Sequence, residues 1–180
     1  MVGSKLNEKG RKEVISWMKS VAIALAIALV IRQFLYTPVT VSGQSMEPTF
    51  ENNNRIVITK IHTIDRFDMI VFESPQPDVD FIKRVIGLPG DVVIMKDDHL
   101  FINGEEYEEQ YLQANKEKIY EGQRLTENFE VEVPEGHYYV LGDNRQNSTD
   151  SRIIGFIDEK TVVGKVSFRF YPFKSIGIPK

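Results

Sequence analysis

The chain has 180 residues and not one cysteine. That excludes a disulfide scaffold, a thiolate zinc site, an iron–sulfur cluster and a cysteine nucleophile. It does not fix the compartment, because a domain outside the cell need not carry disulfides. Histidine is nearly as scarce, with three copies: His62, His99 and His137. None of them sits in a metal-ligand or catalytic motif, so no metal and no cofactor is expected. Eight prolines and twelve glycines are too few for a collagen-like or proline-rich chain. A one-sign charge excess is missing too: the net charge is −4, and no uniformly basic face exists for nucleic acid.

What charge there is lies unevenly. Residues 1–20 carry Lys5, Lys9, Arg11, Lys12 and Lys19 against Glu8 and Glu13, while residues 104–135 hold ten glutamates against three basic residues. Behind the basic start, Val21–Ile31 is an unbroken apolar run, VAIALAIALVI. Eleven residues make only about 16 Å of helix, too short to span a bilayer. The flanks lengthen it: Ile15–Leu35, interrupted only by Ser16, Lys19, Ser20, Arg32 and Gln33, would reach about 31 Å. Lys19 and Arg32 lie near the ends, where long side chains snorkel, and Trp17 and Tyr36 fall at interfacial levels. A buried core helix would also be apolar. A cleaved secretory signal would also begin basic, but the bulky IRQFLYTP offers no small-residue cleavage site. The pattern predicts an uncleaved anchor. The excess of positive charge keeps residues 1–16 in the cytoplasm, 17–36 span the membrane, and 37–180 lie outside.

After Pro38 the pattern turns from helical to β. Short runs rich in β-branched and aromatic residues recur at Thr37–Val41, Arg55–Thr59, Met69–Phe72, Phe81–Ile86, Val92–Met95, Leu100–Ile102, Glu130–Val133, Tyr138–Leu141 and Thr161–Tyr171. Asn103-Gly104 marks a hairpin and Leu88-Pro89-Gly90-Asp91 a loop. Residues 105–129 read as a polar, solvated excursion with weak helical or loop character. The fold class is therefore mostly β: an antiparallel sheet domain on one N-terminal transmembrane helix.

Without cysteine, a nucleophile would be a serine. Ser45 lies in Ser42-Gly43-Gln44-Ser45-Met46-Glu47-Pro48-Thr49, just after the first strand. Gly43 permits a tight backbone path and Pro48 fixes φ beyond it, which is how a hydroxyl is presented on a rigid turn. An ordinary loop has the same composition, and this is not the G-x-S-x-G elbow of the lipases. The base is the next question. A histidine triad needs no local signature, so spacing does not remove it. Lysine fits better. In Phe81-Ile82-Lys83-Arg84-Val85-Ile86, alternation puts Phe81, Lys83 and Val85 on one face and Arg84 on the other. An apolar setting lowers the pKa of Lys83 and makes it a general base; the bland alternative is a lysine that only covers apolar surface. Arg84 stays charged and cannot be the base. A third cluster, Gly142-Asp143-Asn144-Arg145-Gln146-Asn147-Ser148-Thr149-Asp150-Ser151-Arg152, follows an apolar strand and packs hydroxyls and opposed charges together.

At these segments the chain closely resembles the type I signal peptidases, Ser/Lys-dyad membrane peptidases. The matching motifs are SGQSMEPT (42–49), RFDMIVF (66–72), FIKRVIGLPGD (81–91) and GDNRQNSTDSR (142–152), in the family's order behind an anchor. The resemblance runs from Trp17 to about Phe173 and is weakest in 105–135. It implies that Ser45 is the nucleophile, Lys83 the general base and Ser148 a hydroxyl that orients the lysine. It also implies that Asp150 and Arg152 form a structural charge pair and that Met46 is a packing position. Where Gram-negative members place an oxyanion-binding serine, this chain has Gly43, so the hole would rest on the Ser45 N–H and another donor, for which the Gly43 backbone is a candidate. The implied partners are signal-peptide-bearing preproteins and the lipid bilayer. An inactive membrane-tethered adaptor would share the anchor and the β domain. A self-cleaving repressor would need a helix-turn-helix where the anchor lies. Oligomeric state is not legible in the sequence.

Overall fold

The computed structural model describes residues 3–60, 63–120 and 122–179, and the chain divides into two compact units, 1–37 and 38–180. In the first, α1 (Gly3–Phe34) is one continuous helix. Ala and Leu dominate its centre, and no proline interrupts it. Its stretch Gly10–Val30 is long and apolar enough to cross a membrane, and every residue along it is exposed. Thr37 stands before Pro38, which disfavours helical φ/ψ there, and the chain is extended from Tyr36.

The second unit is built on antiparallel β-sheet. Its larger sheet has seven strands: β1 (Tyr36–Thr40), β2 (Arg55–Thr59), β3 (Met69–Glu73), β4 (Asp80–Gly87), β9 (His137–Leu141), β10 (Ile157–Asp158) and β11 (Val162–Tyr171). The order across it is β1-β2-β11-β3-β4-β9-β10. The smaller sheet joins β5 (Val92–Lys96), β6 (His99–Ile102), β7 (Glu105–Tyr107) and β8 (Phe129–Glu132) in the order β7-β6-β5-β8. All nine strands expected from the pattern are present, with bounds moved by a residue or so.

One region differs from the sequence expectation. Residues 105–129 are not a solvated excursion. They form β7, a 3₁₀ turn at Gln110–Leu112 and a short helix α2 (Gln113–Lys116), with Glu109, Leu112 and Asn115 all buried. The glutamates gave a polar average that hid five buried positions, Leu125 and Thr126 being the other two.

The core beneath the larger sheet contains Phe50, Ile56, Ile58 and Val71, each at most 2% exposed. Two strand registers place the central residues. Ile70 faces Lys83 across β3–β4, and Arg84 faces Leu141 across β4–β9. Lys83 is thus in the middle of the sheet, and the chain leaving β9 at Gly142 runs beside it.

Candidate active site

Ser45 is carried by the β1–β2 connection. The base of this loop is closed by backbone bonds from Val41 N–H to Asn54 O and from Asn53 N–H to Val41 O. Its tip is a tight turn, with Phe50 N–H donating to Met46 O. Met46 and Phe50 are buried in the core, at 1% and 0% exposure. Their burial stakes the loop down beyond the serine, about 1.5–3 kcal/mol for each large apolar side chain. Gly43 has φ +88°, a conformation that costs a residue with a Cβ and costs glycine little.

Lys83 comes from the centre of β4 and is 3% exposed. Its Nζ donates to Ser45 Oγ at 2.8 Å and to Ile82 O at 2.9 Å, and it stands 4.9 Å from the Phe81 ring centroid. Burial lowers its pKa to about 8, against the opposing pull of the Asp150 and Asp143 carboxylates. The run FIKRVI itself holds no carboxylate; both acids arrive from the 142–152 loop.

Arg84 lies on the opposite face, yet it is as buried as Lys83, at 2%. Alternation in β4 separates the two faces without exposing either, because β4 is an inner strand packed on both faces. Its guanidinium grips Asp143 through Nε and NH2, at 2.9 and 2.7 Å, and stacks over the Tyr111 ring. Thr49 Oγ1 donates to the same carboxylate at 2.5 Å. Arg84 and Asp143 therefore tie β4, the serine loop and the 142–152 loop together, a role that the sequence pattern assigned to neither.

The 142–152 loop meets the serine loop directly. Asn144 N–H donates to Ser45 O at 2.9 Å, and a Cβ placed on Gly142 would lie 2.5 Å from that same oxygen and closer still to Ser148 Oγ. Only glycine fits there. Asp150 accepts from the Gly142 N–H at 2.9 Å and forms an ion pair with Arg152 at 2.7 Å. Burial pushes the Asp150 carboxyl up, but the bonds and charge of Arg152, then the Gly142 N–H, hold it below the usual carboxylate range. Asp150 also caps α3 (Ser151–Ile154), accepting from the Arg152 N–H. The Ser148 Oγ is buried without a hydrogen bond of ordinary geometry, although it lies near enough to Asp150 to favour that carboxylate.

Ser45, Lys83 and Ser148 all face a cleft of about 630 Å³. Val41, Ile56, Val71 and Ile82 supply apolar wall. The Ser45 N–H has no acceptor among the described residues, whereas the Gly43 N–H donates to Asn52 Oδ1 at 3.1 Å and is thereby occupied. For the Gly43 N–H to serve as a second oxyanion donor, it would have to exchange this exposed bond for the substrate. Of the histidines, His99 bonds Glu106 and His137 approaches Glu135 O, neither touching a serine; His62 lies outside the described residues.

A serine hydroxyl bonded by a buried lysine, beside an open cleft in an antiparallel β domain, is an arrangement compatible with a serine hydrolase. Residues 14–171 match the family model described as signal peptidase, peptidase S26. The chain is 44% identical to signal peptidase I of Bacillus licheniformis over 173 residues, 92% of this chain and 93% of that one. It is 42% identical to signal peptidase I S of Bacillus subtilis, across 94% and 96% of the two chains. A crystal structure of a signal peptidase I from Enterococcus faecalis superposes with a TM-score of 0.57 at 40% identity, covering 59% of this chain and 99% of that one. The chain belongs to the signal peptidase family, peptidase S26, serine peptidases that remove signal peptides from preproteins.

Proposed function

We propose that this protein is a membrane-anchored endopeptidase that cleaves signal peptides with Ser45 as nucleophile and Lys83 as general base. The observation that carries the reading is the 2.8 Å contact between Lys83 Nζ and Ser45 Oγ, made by a lysine whose pKa burial has brought to about 8. At pH 7 about a tenth of such lysines are neutral, against roughly one in 2,500 unperturbed.

The steps follow from that geometry. Ser45 Oγ attacks the scissile carbonyl carbon while Lys83 Nζ takes the hydroxyl proton. The tetrahedral oxyanion forms beside the Ser45 N–H, which is open to receive it. Lys83 then passes its proton to the leaving amine, the C–N bond breaks, and an acyl-enzyme remains on Ser45. A water deprotonated by Lys83 hydrolyses the ester and restores the serine. Ser148 lines the same cleft and makes no bond to Lys83 at rest, so its assigned role of orienting the lysine requires its hydroxyl to turn to Nζ during the reaction; Asp150 and Arg152 hold the loop that carries it.

The cleft runs between residues 39–41 and 79–83. An extended substrate fits between them, its small side chains against the apolar wall. The helix α1 anchors the enzyme in the bilayer with its basic end inside, so that residues 38–180 meet preproteins on the far side.

The test is cleavage of a purified preprotein carrying an Ala-x-Ala site. Wild type should release the mature protein, and Ser45→Ala and Lys83→Ala should each fail to, while remaining folded at the assay temperature. Residual cleavage by Ser45→Ala would end this reading.

A further inference from the structure

Asn115 stands on α2, in the acidic segment that shares no motif with the site, and it is 9% exposed. Its Nδ2 donates to Glu47 O at 3.0 Å and to Asp143 O at 2.9 Å. Both hydrogens of one amide nitrogen are thereby used, and each goes to a different loop. Glu47 is two residues beyond Ser45. Asp143 lies between Gly142, which packs on Ser45 O, and Asn144, which donates to Ser45 O. A single side chain thus fastens the serine loop to the loop that runs beside Lys83.

The helix bearing Asn115 is itself held in place. Glu109, just before it, pairs with Arg145 at 2.5 Å, and the two side chains are 2% and 0% exposed. Arg145 also donates from Nε to Gly142 O at 3.0 Å. Leu112 is 1% exposed. A four-residue helix would not keep its place alone; this one is braced against the very loop it clamps.

We infer that Asn115 is a positioning residue for the hydrolysis, setting the separation of Ser45 Oγ from Lys83 Nζ by holding the 42–50 and 142–148 loops in register. The inference rests on the Ser45/Lys83 reading above. It follows that the acidic segment completes the catalytic geometry from outside the motifs.

The amide is chemically specific for this position. Two carbonyl oxygens converge on it, so the site needs a double donor of that length. Alanine removes both bonds and leaves the buried Asp143 carbonyl without its donor. Aspartate has the same shape but turns a third acceptor toward two acceptors. Protonation of that aspartate would restore one donor.

The experiment measures kcat and KM from pH 6 to 9 for full-length wild type, Asn115→Ala, Asn115→Asp, the exposed helix neighbour Glu117→Ala and Ser45→Ala, on a short signal-peptide substrate. All are assayed well below their thermal midpoints. Asn115→Ala should lose about tenfold in kcat with KM within twofold, the effect of about 1.4 kcal/mol in the transition state alone. Asn115→Asp should lose more at pH 8 than at pH 6, so that its kcat relative to wild type climbs as the pH falls. Glu117→Ala should match wild type. A purely structural Asn115 would lower the midpoint while leaving kcat within twofold, and that result overturns the inference. So does an Asn115→Asp ratio that is flat with pH, which decides the matter even where the alanine variant does not fold. Activity surviving in Ser45→Ala would instead sink the dyad itself, whatever Asn115 does.

Discussion

Burial lowers the pKa of Lys83, and that makes the pH behaviour of the proposed base predictable. The ascending limb of kcat/KM should fall near pH 8, the pKa to which burial has lowered this amine. Lys83→Arg should be inactive at every pH, since a guanidinium holds its proton. A limb near 6.5 that disappears in a histidine variant would show a different base. The same pKa has a stability sign. Below about 8 the amine is charged in both states, and the folded state bears the cost of burying it. Between about 8 and 10.5 the unfolded chain keeps the proton that the folded protein has lost. Lys83 therefore makes stability rise through that window. The stability advantage of Lys83→Met over wild type, read from urea midpoints, should shrink between pH 7 and pH 10. Gly142 gives a second prediction at this scale. A methyl there has no room against Ser45 O, and the serine loop must shift. Gly142→Ala should lower kcat/KM on the order of 10²-fold, as misplacing a reacting group does. Wild-type kinetics in that variant would show that the two loops are not in fixed register. Ser45 and Lys83 were legible in the sequence because each sits inside a short motif. Asn115 was not, because its partners are 68 and 28 residues away and neither Asn nor its neighbours carry a local pattern.

At the scale of elements, alternation found the strands and composition misled about the acidic segment. Nine strands announced themselves as β-branched and aromatic runs. β7 and β10 did not, being two or three residues long and partly acidic. The segment after β7 looked solvated because its many glutamates mask one buried acid, Glu109, whose partner Arg145 lies in the 142–152 loop. Burial would disfavour the Arg145 charge, and Glu109 outweighs it, raising the guanidinium pKa. Removing one member of a buried pair leaves the other uncompensated, so Glu109→Ala should cost about 3–5 kcal/mol. For a unit of this size that is a fall of roughly 10 °C or more in Tm. His99→Ala, which removes a partner of the exposed Glu106, should change Tm little. Calorimetry of the two variants settles the comparison: equal midpoints would mean that the buried pair contributes no more than a surface one.

For the whole molecule, the issue is what covers α1. The stretch Gly10–Val30 exposes apolar side chains all around the helix, among them Ile23 and Leu25 at 60% and Leu29 at 65% exposure. Water does not tolerate so wide an apolar surface, at about 25 cal/mol for each Å². The bilayer does, and the length of the stretch suits it. Trp17, the only tryptophan in the chain, is a built-in reporter near the basic end of that helix. Its emission should shift to the blue on transfer from detergent-free suspension into lipid vesicles, and quenchers attached near the lipid headgroups should reach it better than quenchers near the bilayer centre. In the proposed topology the same charge asymmetry orients the chain, with five basic residues among the first twenty keeping that end inside. Protease added outside intact protoplasts should therefore digest residues 38–180 and spare the first fifteen, while inverted membrane vesicles should give the opposite pattern. Protection of the β unit in protoplasts, together with loss of the N-terminal tail, would reverse the topology and place the cleft on the wrong side for exported preproteins.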